Sequence, residues 1–177
     1  MRRLIHAVAY SFLLLVPFSG TAALIDNGTY TTDTEAKLDW LDLSATIGQA
    51  YSSVELSNAG WRYATNAEIE NIFGVLFDGY YNTNAGGYSS SDEGSYTDQG
   101  ADVDNFIAVF GVTGSVSTAD ADLSWGWYED ESSILRILGV TDFLSGSTLV
   151  YGPDNTADYD GFRDSGNARV GAFMVRE

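Results

Sequence analysis

Apolar positions along this chain fall into three regimes. From Leu4 to Phe18 they form a nearly continuous run, broken late by Pro17; in two later windows they recur at helical spacing; elsewhere they alternate with polar residues. The clearest local pattern is Thr65-Asn66-Ala67-Glu68 followed by Ile69, Ile72, Phe73 and Leu76. Thr65 and Glu68 have capping-box spacing, in which each side chain satisfies the other residue's backbone N–H. The apolar set makes one helical face. A helix over about 66–78 is expected, stopping near Asp78-Gly79, with Gly60–Ala64 as a short strand leading into it. A second helix is expected over about 102–110, where Asp102 can cap and Val103, Phe106, Ile107 and Phe110 form a stripe ending at Gly111.

The remaining pattern reads as β. Leu38, Trp40 and Asp42 alternate against Leu41 and Leu43, which predicts an early strand or hairpin between Thr29 and Leu43. Leu123, Trp125 and Trp127 recur at period two, as do Val170, Ala172 and Met174. Ile134–Val140 and Ser147–Tyr151 are shorter strand candidates, and Ile47–Leu56 is a short helix candidate weakened by Gly48 and its serines. From 79 to 101 aliphatic residues nearly vanish and Gly, Ser, Asn and Tyr take over, so a long exposed loop is expected there.

The first apolar run has the layout of a secretory signal peptide. Arg2 and Arg3 supply a positive start, and Ser19-Gly20-Thr21-Ala22-Ala23 offers small residues for cleavage. Export of residues 24–177 follows as an expectation, with no second apolar run to span a membrane. The 177 residues carry 8 Lys+Arg against 25 Asp+Glu, a net charge of −17. Without the leader, six cations face all 25 acids and the charge becomes −19. The one histidine, His6, leaves with the leader, and there is no cysteine. Ser-His-Asp and Cys-His nucleophilic sites are therefore excluded, as are zinc or haem sites built on His or Cys. Nucleic acid is excluded as a partner on the same arithmetic, because phosphate neutralisation needs clustered cations. Aromatic content of 14% marks a folded chain rather than an acidic tail, and its length suits one domain.

What this composition leaves is recognition by aromatic, hydroxyl and carboxylate groups. Tyr80, Tyr81, Tyr88 and Tyr96 lie in a loop whose Ser, Gly and Asn suit adaptable hydrogen bonding around rigid rings. Trp125 and Trp127 share one strand face and are candidates for stacking on a sugar ring, against the plainer reading of a core pair. Asp154, Asp158 and Asp160 place oxygen ligands at spaced positions before Gly161, the pattern of a calcium loop, though Thr156 at the third position and the lack of a Glu at the twelfth fail the EF-hand rule. Oxygen-only ligation of a hard cation such as calcium is the one metal chemistry this composition permits, and solvated loop acids are the plain alternative. Carboxylate pairs run glycoside hydrolysis without histidine, but among 25 acids none is singled out by its setting, so no catalytic residue is assigned.

Gly60-Trp61-Arg62-Tyr63-Ala64-Thr65-Asn66-Ala67-Glu68 resembles the G-W-R-L-P-T-x-x-E segment of secreted bacterial domains. It is also similar to the R-L-P-T-E-A-E segment of formylglycine-generating-enzyme-like domains. Both groups have C-type-lectin-like folds, and Val170–Glu177 looks like their final strand. The order of Trp40-Leu41-Asp42, then G-W-R-Y-A-T, a G-V-T after a helix and a closing G-A-F-M-V-R-E resembles that of small exported proteins with a PEP-CTERM sorting tail. The V-P-E-P tail, the calcium-lectin E-P-N or Q-P-D motifs and the paired cysteines of the formylglycine-generating enzymes are absent, so anchoring, calcium-dependent sugar binding and that activity are not carried over. The resemblance implies a fold and an exported setting.

Together these readings predict one secreted α+β domain over 24–177, C-type-lectin-like, with two helices packed on a small, mainly antiparallel sheet closed by the last strand. Arg62 is expected to pair with a carboxylate at the core edge. The expected function is a non-enzymatic surface or extracellular protein that binds polysaccharide. The alternative is a structural protein of the extracellular matrix, calcium-bridged and without a defined ligand; an acid-carboxylate glycosidase stands third.

Overall fold

The computed structural model describes residues 24–77, 100–143, 147–152 and 158–177. The expected leader, and positions 79–99 of the expected loop, lie outside the described residues. The architecture is α+β. Strands β1 (Leu24–Asp26), β2 (Tyr30–Asp33) and β3 (Leu38–Leu41) open the domain, followed by a 3-10 turn at Leu43–Thr46 and helix α1 (Tyr51–Ser57). Next come β4 (Arg62–Tyr63), α2 (Asn66–Leu76) and α3 (Gly100–Phe110). The chain then turns to β5 (Gly114–Val116), β6 (Ala121–Glu129), β7 (Leu135–Phe143) and β8 (Ser147–Tyr151). A second 3-10 turn at Asp160–Phe162 precedes β9 (Gly171–Ala172) and β10 (Met174–Arg176).

Among the described residues two sheets replace the single one expected. The first has the order β1-β2-β3-β10-β4, and the second runs β5-β6-β7-β8 with β9 beside β6. All pairs are antiparallel except β6 with β9. Strand β6 is long enough to share one edge between β5, near Leu123, and β9, near Trp127. Among the described residues there are three α-helices rather than two. The weak segment before Trp61 does fold, but it starts at Tyr51 because Tyr51 and Val54 are the residues that find a core, while Leu56 stays 87% exposed. Helix α3 begins at Gly100, two residues before the expected cap.

The apolar face read from the sequence is the one buried. Ile69, Ile72, Phe73 and Leu76 of α2 join Val103, Phe106 and Phe110 of α3, Trp40, and Leu138, Val140 and Val150 of the second sheet in one core. A second core holds Leu41, Tyr51, Val54, Trp127, Leu135, Ile137, Val170, Ala172 and Met174. Residues 170–175 are all buried, because their alternate side chains enter different cores: Val170, Ala172 and Met174 the second, Phe173 and Val175 the first.

The capping box forms as expected. Thr65 accepts from the Glu68 N–H, while Glu68 accepts from the Thr65 N–H at 2.8 Å. Arg62 finds its carboxylate in that same Glu68, donating from both guanidinium nitrogens at 2.9 and 2.8 Å. The Arg62 bonds, then those from Thr65, bring the Glu68 carboxyl down to about 2 from an ordinary 4.5. A carboxyl held down in the folded state stabilises fully above its ordinary range, and that contribution is lost as pH falls through about 4.5 towards 2. At neutral pH, Glu68→Gln is expected to cost about 1–2 kcal/mol in urea unfolding, the size of a partly exposed charge-assisted hydrogen bond. The two proteins should converge in acid.

The second sheet carries the opposite arrangement. Asp122 and Asp142 are direct cross-strand partners. Burial pushes the Asp142 carboxyl up, and the nearby Asp104 and Asp122 charges add to it. An acid whose folded value is raised costs stability once ionised. Asp142→Asn is therefore expected to raise unfolding free energy at neutral pH by about 0.2–1 kcal/mol, the range for facing strand residues. Thermal melts should show that gain disappearing below the carboxylate range.

Candidate functional site

Strand β6 sends Trp125 and Trp127 to the same face of the second sheet, as period-two spacing requires. Their surroundings then diverge. Trp127 is 2% exposed and belongs to the second core, whereas Trp125 packs against that core from its edge and stays partly exposed. Trp127 is thus a wall of a pocket rather than an open platform. Tyr159 approaches it at 5.5 Å between ring centroids and Phe162 stacks on it at 6.3 Å with a 17° tilt. Phe162 itself is 49% exposed.

Trp125 occupies a seat made by a missing side chain. In register it faces Gly139 on β7, and Gly139 faces Tyr151 on β8. With no Cβ between them, Trp125 meets the Tyr151 ring edge-on at 5.6 Å. A Cβ at Gly139 would stand 2.8 Å from Trp125 Cδ1 and collide with the Ser124 carbonyl. Behind the strand, a Cβ at Gly126 would come within 2.5 Å of Phe173 and 2.6 Å of Leu43. Glycine between the two tryptophans thus lets the first core press up to β6.

Together Trp125, Trp127, Tyr151, Tyr159 and Phe162, with Ile137, Asn167 and Val170, line a hollow of about 150 Å³. The Trp125 indole N–H is buried and has no hydrogen-bond partner. Among the described lining residues Asn167 supplies a side-chain amide.

The acids read as calcium ligands serve the hollow differently. Asp154 lies outside the described residues. Asp158 is exposed, and its Oδ1 accepts from the Asp160 N–H at 2.9 Å. Asp160 Oδ1 accepts from the Leu135 N–H at 2.9 Å and from Arg163 at 2.7 Å. These bonds, first the one from Leu135, hold the Asp160 carboxyl below its ordinary range. Tyr159 N–H donates to the Leu135 carbonyl at 3.0 Å, and Arg163 also reaches Glu129 and the Ser133 carbonyl. Asp160 fastens the turn carrying Tyr159 and Phe162 to the start of β7, while Asp158 holds the turn's own backbone. At Asp160, Oδ1 is already shared between a backbone N–H and a guanidinium. Among the described residues no group of three acids is placed to hold a metal ion.

Tyr80, Tyr81, Tyr88 and Tyr96 lie outside the described residues. Sequence reasoning missed Tyr151, Tyr159, Phe162 and Asn167. The signal at hand was Tyr159 and Phe162 bracketing Asp160-Gly161, two large rings in a loop otherwise rich in acids.

No protein-family model matches the chain, and neither the curated proteins nor the solved structures contain one similar to it. Among the described residues no helix is long and apolar enough to cross a membrane.

The seat at Gly139 yields a direct test. Gly139→Ala is expected to cost about 1–3 kcal/mol by overpacking and to displace Trp125. Urea unfolding reads the first effect and near-UV circular dichroism the second; an unchanged aromatic spectrum would contradict the seat.

Proposed function

We propose that this is an exported, non-enzymatic binding protein of the extracellular matrix that takes one ring of a polysaccharide in the aromatic hollow of the second sheet. The observation that carries the reading is the hollow itself, with aromatic walls, one side-chain amide and a buried indole N–H without a partner. Sugar rings present apolar C–H faces together with hydroxyl oxygens. The first suit the Trp125 and Phe162 rings, and the second suit the Asn167 amide. At about 150 Å³ the hollow is smaller than the roughly 300–1,000 Å³ of drug-sized sites, so it suits one ring of a chain that continues outside. Among its described lining residues no carboxylate stands, whereas glycoside hydrolysis uses two across the scissile bond; this favours binding over cleavage.

The domain is read as C-type-lectin-like on the sequence resemblance. The resembling segments correspond to β4 with the capped α2 and to β9 with β10, and α+β architecture is compatible with that assignment. Such folds host many functions, so the binding reading rests on the hollow. Export rests on the leader-like residues 1–23.

A glycan array tests the proposal. Binding to extracellular polysaccharide is expected for the wild type and lost in Trp125→Ala with Phe162→Ala. Loss on replacing Tyr80, Tyr81 and Tyr88 by Ala instead would move the site to that segment. An array without signal for any of them would favour a structural matrix protein.

A further inference from the structure

Arg62, Arg136, Arg163 and Arg176 are each closed in an ion pair with a carboxylate. Arg169 is exposed and makes no ion pair among the described residues, in a chain that offers 25 acids. Its stem lies on the tryptophan face of the second sheet. Gly114 on β5 stands opposite Leu123 on β6, so a side chain at 114 would share the face of Leu123, Trp125 and Trp127. The Arg169 stem fills that seat instead. A Cβ at Gly114 would stand 3.0 Å from Arg169 Cγ, 3.3 Å from its Cβ and 3.5 Å from its Cδ. Asp122 precedes Leu123 on the strand and faces Asp142, so by alternation this acidic pair points to the opposite face.

Arg169 is also joined to the hollow through its backbone. The Thr113 hydroxyl donates to the Arg169 carbonyl at 2.8 Å and accepts from the Trp125 N–H at 3.0 Å, so one side chain links the two backbones. Asn167 and Val170, on either side of Arg169 in the chain, both line the hollow. Asn167 Oδ1 accepts from the Arg169 N–H at 2.9 Å. A backbone N–H must meet an oxygen, so the two protons on Asn167 Nδ2 are the end of the amide left for a ligand. The polar groups at this edge are therefore donors. A sugar hydroxyl needs one donor for its oxygen, whereas a carboxylate or sulfate presents paired oxygens that match the guanidinium fork in two parallel bonds.

We propose that Arg169 is the specificity-determining residue of the hollow and binds an anionic group on the saccharide at its mouth. The proposal rests on the reading of the hollow as a sugar site and names the ligand's class as acidic. A hollow of about 150 Å³ takes a ring, and the charged substituent stands outside it on the side of Asn167 and Arg169. The domain's own charge limits how acidic that ligand can be. Exposed charges farther than about 8 Å are largely screened at physiological salt, so a single anionic group gains from Arg169 alone. A chain charged at every ring is repelled by the many acids around it. A mostly neutral polysaccharide with isolated anionic rings meets both conditions.

The test is a glycan array carrying neutral oligosaccharides, the same chains bearing one uronate or one sulfate, and continuous oligouronates, probed with the full protein. The wild type is expected to prefer the singly charged chains, and the uronate and sulfate arms tell which anion it takes. Arg169→Gln should lower the ratio of acidic to neutral signal by about tenfold or more, the size of a lost charge-assisted hydrogen bond. Arg169→Lys should recover part of it, because a point charge replaces the fork; a merely structural arginine would not give this selective loss and rescue. Added sodium chloride should weaken the acidic signal more than the neutral one. Equal binding of neutral and charged chains, lost in Trp125→Ala with Phe162→Ala and untouched by Arg169→Gln, overturns the role of Arg169 and leaves the hollow standing. Acidic binding lost in Arg169→Gln but kept in the tryptophan–phenylalanine variant supports Arg169 as the anion site and overturns the hollow. The strongest signal on continuous oligouronates overturns the preference for isolated charge. No signal on any arm overturns both readings.

Discussion

Phe173 is hydrogen-bonded into both sheets at once. Its N–H donates to the Trp127 carbonyl on β6 at 3.0 Å, and its carbonyl accepts from the Ala64 N–H beside β4 at 3.0 Å. The residues on either side belong to different sheets, β9 pairing with β6 and β10 with β3 and β4. Below this junction the Ala172 N–H donates to the Thr46 hydroxyl at 2.7 Å, and Gly171 lies so close to the Leu43 carbonyl that no Cβ fits. A buried strand with an unmatched N–H or C=O would be costly, so the two sheets have little freedom to slide or splay at this point. Their relative placement, and with it the separation of the two cores, depends on these few bonds.

The aromatic hollow inherits its rigidity from that junction. Trp127 is backed by the strand whose carbonyl Phe173 uses, and Gly126 lets Phe173 and Leu43 press against that strand from behind. The front wall is fixed differently, by Asp160 and Arg163 tying an irregular turn to β7 and to Glu129. One wall is thus set by packing and backbone pairing, the other by charge-assisted bonds near solvent. Such bonds weaken with salt and acid far more than a packed strand does, so the turn is the softer side.

How much of this was legible in the sequence differed by element. Helix α2 and its cap could be read because every local rule agrees there, from Thr65 through Leu76. Arg62 could be expected to find a carboxylate, although not that the capping glutamate would be the one. Helix α1 was half-hidden, since Leu56 looked apolar enough to be inside and is not. The strands β6, β7 and β8 could be read, but not that they form a sheet of their own: β9 is two residues long and joins β6 in parallel across more than forty positions of sequence, a distance over which periodicity is silent. The period-two reading of Trp125 and Trp127 gave the right shared face but not their unequal burial, because Phe162 and Tyr159 come from a remote turn. The spaced aspartates illustrate a true ambiguity. Carboxylates that fold a loop by accepting its N–H groups have the same spacing as carboxylates that fold it around calcium.

The doubly bonded segment at 170–176 also dictates when the molecule can become a molecule. Neither sheet is complete before it arrives, and its partners at β3, β4 and β6 were laid down far earlier in the chain. Synthesis proceeds from the amino end, so the nascent polypeptide must wait with both cores open until these residues emerge. Such long-range closure folds slowly and late. If the chain is exported as proposed, that delay lets it cross the membrane still pliable and close afterwards.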